Sequence, residues 1–244
     1  MTPTHIFSNA LPSDAGAIAA ILALSWTSPF SQLQFGCMDP HALAAAIAPR
    51  IAQQMADASM LFHVARRREA QDVVSVAQWT VPSDAPDTAM EEGEEEQESA
   101  GQRDERQKFE DEVYYNSLPE DCNKPLVMEF TLGLRSLRDR VLCGRKHFLL
   151  ENLATHPDHR GQGLARQLIE RVLSRADEQN VLVYLDTASD NTAVRLYERL
   201  GFEKQASQTI RNLSRFVEEV ELESSTVGNA HTHVALVRYP IIKV

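Results

Sequence analysis

Between residues 147 and 170 the side-chain period of this chain changes from two to 3.6 within a few residues, and few folds can accommodate that change. The first half, His-Phe-Leu-Leu-Glu-Asn-Leu-Ala-Thr, alternates as an extended strand does. His147, Leu149, Glu151, Leu153 and Thr155 fall on one face, and Phe148, Leu150, Asn152 and Ala154 on the other. Pro157 ends the strand. Beyond Arg160-Gly161-Gln162-Gly163, apolar residues recur at Leu164, Leu168 and Val172 and at Ala165, Ile169, Leu173 and Ala176, one broad face of a helix of about four turns. The stretch therefore reads as strand, tight glycine loop, helix.

A helix that opens directly from a glycine loop is an anion site. Its first turn carries unpaired N–H groups and about half a positive charge. Gly161 and Gly163 let the backbone lie close against a phosphate, and Arg160 adds a charge beside them. Two common phosphate loops are excluded. A P-loop needs four residues between its glycines and a following Lys-Ser/Thr, and a dinucleotide fold needs G-x-G-x-x-G behind its first strand. Neither pattern is present.

Arg160-Gly161-Gln162-Gly163-Leu164-Ala165 resembles the Q/R-x-x-G-x-G/A loop of the GCN5-related N-acetyltransferases, the GNAT family, with Arg160 in the first position and Gly163 and Ala165 in the two small ones. A second segment is also similar to that family. Tyr184-Leu185-Asp186, followed by Asn191-Thr192-Ala193-Val194-Arg195-Leu196-Tyr197-Glu198-Arg199-Leu200-Gly201-Phe202, looks like its strand and N-x-x-A-x-x-L-Y-E-K-x-G-F helix. The resemblance is strong from about 147 to 203. It implies an α/β fold of the acyl-CoA N-acyltransferase type: a mixed, mostly antiparallel sheet of about seven strands with helices on both faces, parallel only where two central strands diverge. It further implies acetyl-CoA as co-substrate, gripped by Leu153, Ala154 and Thr155 along the strand, by Arg160, Gly161, Gln162, Gly163, Leu164 and Ala165 in the loop, and by Asn191. No metal is implied.

The 244 residues are expected to form a single domain, 1–244. The formal charge is −11, yet residues 84–112 hold 13 acidic and 3 basic side chains, a net of −10, which leaves −1 for the remainder. That run reads as a solvated, disordered insertion within the domain. A nearly neutral body does not suit a nucleic-acid binder. Cys37, Cys122 and Cys143 are widely spaced and lack any C-x-x-C, so neither a disulfide framework nor a zinc site is expected. No apolar run approaches the length of a membrane span, and a cytoplasmic location, with the nucleus not excluded, is the expectation.

Along the chain, residues 4–10 read as a strand, and Ser13-Asp14 as the cap of a helix from Ala15 to Trp26. Thr27 to Cys37 reads as a loop, and Asp39-Pro40 opens a helix to about Met55 that Pro49 interrupts. Met60 to Arg67 and Val73 to Val81 form a hairpin. Arg103 to Tyr115 and Leu126 to Leu142 have helical character, Leu182 to Thr187 and His233 to Tyr239 are strands, and 204–229 is an irregular acidic excursion. Trp26, Phe30 and Phe35, near the segment that covers the acceptor in the family, are either substrate-facing aromatics or core.

Acetyl transfer to an amine needs a bound donor, a neutral amine, shelter for the oxyanion and a proton for the leaving thiolate. An amine of pKa about 10.4 is less than about one part in a thousand neutral at pH 7, so a base must take its proton. Glu151 is the first candidate, His147 the second and Asp186 the third. By resemblance Tyr197 protonates the coenzyme sulfur, and Asn191 either contacts the coenzyme or serves as a helix cap. A backbone N–H near Leu153 or Ala154, freed by a bulge, would hold the oxyanion. His156 and His159 read as loop residues rather than zinc ligands. The function expected is N-acetyl transfer from acetyl-CoA to a primary amine of a small molecule or peptide, in a ternary complex. The alternative is a non-catalytic acyl-CoA-binding regulatory or interaction module on the same fold.

Overall fold

The computed structural model describes residues 4–36, 39–82 and 100–241. In chain order the strands are β1 His5–Asn9, β2 Met60–Arg67, β3 Val73–Thr80, β4 His147–Thr155, β5 Leu182–Ala188, β6 Glu203–Arg211 and β7 Ala230–Arg238. The helices are α1 Ala15–Ser25, α2 Pro29–Phe35, α3 Pro40–Met55, α4 Ala100–Ser117, α5 Lys124–Leu142, α6 Leu164–Glu178, α7 Val194–Arg199 and α8 Glu219–Ser224. The strands form one seven-stranded sheet in the order β1-β2-β3-β4-β5-β7-β6. Every neighbouring pair is antiparallel except β4 and β5.

Side-chain alternation divides the core between the two faces of this sheet. On one face α6 and α7 cover Ala77, Trp79, Phe148, Leu150, Val183 and Leu185. On the other, α1 and α3 cover Phe62, Val64, Val76 and Ala154, while α5 covers Leu149, Leu182, Tyr184 and Val237. The heptapeptide α2 packs Phe30 and Leu33 against Leu126 of α5 and Ile210 of β6.

Several sequence expectations are corrected. The segment 27–37 contains a helix: the Ser28 side chain accepts from the Ser31 amide at 3.1 Å and Pro29 occupies the first turn. Pro49 does not interrupt α3, because it faces solvent, where water can take the carbonyl its ring leaves unpaired. The excursion 204–229 begins as the nine-residue β6, paired with β7 along its length. Of the acidic run 84–112, residues 84–99 lie outside the described residues, and from residue 100 the chain is helical through Ser117, which includes the helix expected over Arg103 to Tyr115. Asp111 of that helix is held by the Arg135 guanidinium at 2.6 and 3.0 Å, which docks α4 on α5. Among the described residues, no helix is long and apolar enough to cross a membrane.

Asp14 does not cap α1 with its side chain. Its carboxylate accepts from the Leu11 amide at 2.6 Å and is held by the Arg66 guanidinium, one nitrogen of which lies 2.9 Å from its other oxygen. Burial raises the Asp14 carboxyl, but the Arg66 and Leu11 hydrogen bonds outweigh it and hold it below the ordinary carboxylate value. Both partners are buried, so removing either strands the other's charge. Asp14→Asn and Arg66→Met are each expected to lose about 3 kcal/mol in urea unfolding, a loss that shrinks below the folded-state Asp14 pKa, where the acid is protonated. A cost below about 0.5 kcal/mol in both variants would contradict a structural role for the pair.

Candidate functional site

The two parallel strands part in the middle of the sheet. β4 pairs with β5 only at His147↔Leu182, Phe148↔Val183 and Leu149↔Tyr184. Beyond that point β5 stays with β7 through Ala188, and β4 stays with β3 through Thr155. One extra residue marks the change: Leu150 faces Trp79 and Asn152 faces Gln78, so Glu151 is a bulge in β4.

That bulge corrects the simple alternation read from the sequence. Leu153 packs with Phe148 and Leu150 beneath α6, whereas Leu149 lies beneath α5 and Ala154 beneath α1. It also leaves the β5-side edge of residues 150–155 without a strand partner among the described residues. In a strand, alternate N–H and C=O groups point along that edge, so an extended chain can lie there and be hydrogen-bonded. Leu153, Ala154 and Thr155, the expected coenzyme-binding residues of the strand, all lie on this open segment.

At the far end of β4 the chain makes a short 3₁₀ turn, Pro157–His159, and passes through Gly161 and Gly163 into α6. Both glycines are left-handed, with φ of 75° and 74°, and a Cβ on either would meet nothing within 4 Å. Among the described residues, no protein group accepts from the six amides of residues 161–166; the first N–H drawn into the helix is that of Gln167, to the Gly163 carbonyl at 3.2 Å. Gly161, Gln162 and Gly163 are exposed, and the six amides lie at the positive end of a 15-residue helix. The Arg160 Nε donates to the Thr155 carbonyl at 3.2 Å, which fixes the loop to the strand end. Leu164 is buried and Ala165 half-buried, and they anchor the first turn.

The titratable residues gather at the parting of the strands. Glu151 is exposed on the bulge and accepts from the Thr80 hydroxyl at 2.9 Å. Asp186 lies on β5 two residues beyond the last β4 pair, on the face that carries Tyr184. Burial drives its carboxyl up to about 6, opposed by Arg138 and reinforced by Glu151. His147 is at the paired end of β4, behind the parting, with Nδ1 2.9 Å from the Arg145 carbonyl. That contact places its proton on Nδ1, and burial keeps the ring below the ordinary imidazole value.

Tyr197 of α7 is buried beside Phe202, and burial, with Asp186 next, raises its phenol to about 12. Asn191 has both ends of its amide engaged: Nδ2 donates to the Thr187 hydroxyl at 2.8 Å, and Oδ1 accepts from the Ala193 amide at 2.9 Å. Phe30 is core, stacked on His231 at 3.7 Å, and Trp26 stacks on Phe35 at 5.9 Å. His159 stands edge-on to His5 and His156, and no cluster among the described residues is arranged to hold a metal ion.

A family profile described as an acetyltransferase (GNAT) domain matches residues 104–219. The chain is 37% identical over 76 residues to the probable N-acetyltransferase family 8 member 5 of Mus musculus and 32% identical over 73 residues to the L-amino acid N-acyltransferase MnaT of Escherichia coli. These matches span 33% and 42% of the two relatives' own lengths. Among solved structures, arylalkylamine N-acetyltransferase 2 of Aedes aegypti superposes with a TM-score of 0.62 at 13% identity, covering 97% of this chain and 99% of the other. At that identity the likeness shows a shared fold.

The open amides predict an anion-dependent stabilisation. Coenzyme A, or inorganic diphosphate more weakly, is expected to raise the Tm of the wild type. Gly163→Glu, which puts a carboxylate in the anion's place and a side chain at a left-handed φ, is expected to abolish the shift. A Tm increment equal in both proteins would show that the anion binds elsewhere.

Proposed function

This chain carries an acetyltransferase domain of the GNAT family, and from that premise we propose that it transfers the acetyl group of acetyl-CoA to a primary amine while both substrates are bound. The observation that carries the reading is the row of six amides at residues 161–166, unpartnered among the described residues and set at the end of a strand whose open edge begins at the bulge. Such amides at a helix terminus suit the diphosphate of a nucleotide carrier, and the open edge of residues 150–155 suits an extended amide-bearing arm. The residues present therefore fit coenzyme A, whose thioester supplies the activated acetyl group.

Two carboxylates flank the parting, Glu151 on β4 and Asp186 on β5, and the charge of the first acts on the second. We assign the base to Asp186. With its pKa raised to about 6, it is about nine-tenths ionised at pH 7 and is a stronger base than an ordinary carboxylate. Glu151, exposed and bonded to Thr80, adds negative charge that favours an approaching ammonium. His147 lies behind the parting and is left out of the chemistry.

The amine nitrogen attacks the thioester carbonyl carbon and its proton passes to Asp186. The carbonyl oxygen gains charge that an N–H on the open edge of β4, at Leu153 or Ala154, would stabilise. As the carbon–sulfur bond breaks, Tyr197 gives its proton to the leaving sulfur. A phenol at about 12 and a thiol near 8.5 make a completed transfer uphill by roughly 5 kcal/mol, so the proton moves as the bond breaks and Tyr197 is reprotonated from solvent. The acceptor is a primary amine on a small molecule or peptide.

Free thiol released from acetyl-CoA over a panel of amines tests the proposal. For the best acceptor, Asp186→Asn is expected to lower kcat by about 10²- to 10⁴-fold while acetyl-CoA binding persists. The wild-type rate should fall as pH drops through about 6, where Asp186 takes up a proton. Coenzyme binding without thiol release on any amine would favour a binding module, and a wild-type rate in Asp186→Asn would remove it as the base.

A further inference from the structure

On the face of the sheet opposite α6 lies a group of polar atoms that the reaction above does not use. α5 packs Leu137 and Leu142 with Leu149, Tyr184 and Val237, and the residue after Leu137 is Arg138. The Arg138 Cζ stands 6.0 Å from the centre of the Tyr184 ring. Its Nε and the Tyr184 hydroxyl are both buried, and neither has a hydrogen-bond partner among the described residues. Buried donors of this kind are normally consumed by an acceptor, and here the Arg138 Nε has none.

Strand alternation brings a carboxylate to the same face. Tyr184 and Asp186 point to the same face of β5, so the carboxylate is one same-face step from the ring beneath Arg138. Asp186 nevertheless takes part in no ion pair among the described residues. Glu151 from β4 and Arg138 from α5 act on its charge, its own charge acts on Tyr184 of β5 and Tyr197 of α7, and its partner on β7 is Ala235. His147 and His233 are neutral, since burial lowers both. Among the described residues, Arg138 is left as the cation acting on the carboxylate.

We propose that Arg138 is a positioning residue of the reaction centre: standing over Tyr184 and short of contact with Asp186, it keeps that carboxylate ionised and free to receive the proton of the acceptor amine. The inference rests on the assignment of Asp186 as base. Its physical content is the stand-off. A guanidinium in direct contact would hold a carboxylate so firmly as an anion that it became a poor base, while a buried carboxylate with no cation near it would be protonated at neutral pH. Arg138, over the Tyr184 ring and in no ion pair with Asp186 among the described residues, gives the state between.

The test is the pH dependence of kcat/KM for the acceptor, at saturating acetyl-CoA, in wild type, Arg138→Met, Arg138→Lys and Asp186→Asn, with thermal unfolding to confirm that each variant is folded. Arg138→Met is expected to move the ascending limb up by about one pH unit, so that the rate at pH 6 falls about fivefold while the rates converge above pH 8. Arg138→Lys should return the limb towards wild type, and KM for acetyl-CoA should not change. A limb that stays in place, a rate lowered by one factor at every pH, or a limb that lysine fails to restore would each overturn the inference and leave Arg138 a packing residue. A wild-type profile in Asp186→Asn is a different failure: the base assignment falls, and with it the group on which Arg138 is said to act.

Discussion

A backbone that leaves a sheet partner must find new partners for its N–H and C=O groups, and this structure depends on one place where it does not. The extra residue at Glu151 detaches β4 from β5 after only three paired positions. An unpaired strand edge inside a sheet costs hydrogen bonds that a continuous sheet would make, each worth about 1 kcal/mol net. That cost is sustained because both strands remain held on their other sides, β4 by β3 and β5 by β7. The bulge also reverses the facing of β4, sending Leu153 beneath α6 and Ala154 beneath α1, so both layers are anchored by the same strand on either side of the opening.

Three features then converge on that opening. The strand edge offers main-chain groups along its length, the α6 terminus offers six more amides at its end, and two carboxylates flank its narrow part. Their charges are opposed in sign by position. The loop is electropositive through a helix terminus and suits an anion, while Glu151 and Asp186 suit a cationic amine at the other end. Such a site can draw a nucleotide carrier and an amine to its two ends and exclude each from the other's place.

The legible part of this molecule was the part whose interactions are local. The loop and α6 announce themselves because the period change, the glycines and the apolar stripe Leu164, Leu168, Ile169 and Val172 fall within a dozen residues, and all four side chains are buried as that stripe requires. The hairpin β2-β3 and the divergence of two central strands were readable for the same reason and from family resemblance. The bulge was expected near β4, but its position was not legible, because an inserted residue leaves the same sequence of apolar and polar letters. The face of every side chain after Glu151 was therefore misread. Asp14 was read as a cap because its neighbours suggest one, whereas its partner Arg66 lies 52 residues away. A separation of 48 residues likewise hid Arg138 from Asp186, and Glu151 stood before Asp186 among the candidate bases because it precedes the Leu153-Ala154-Thr155 segment. Helix α2 was missed because Ser28-Pro29 opens only seven residues, too few to show a period.

The central claim is that the main-chain amides of residues 161–166 are open and grip an anionic carrier. Backbone ¹H–¹⁵N NMR during titration with coenzyme A reads those amides one by one. The account predicts that the largest shifts fall on residues 161–166, with smaller ones along 150–155, and that the outer strand β1 stays still. Saturable binding that leaves the 161–166 amides unmoved while other segments shift would contradict it.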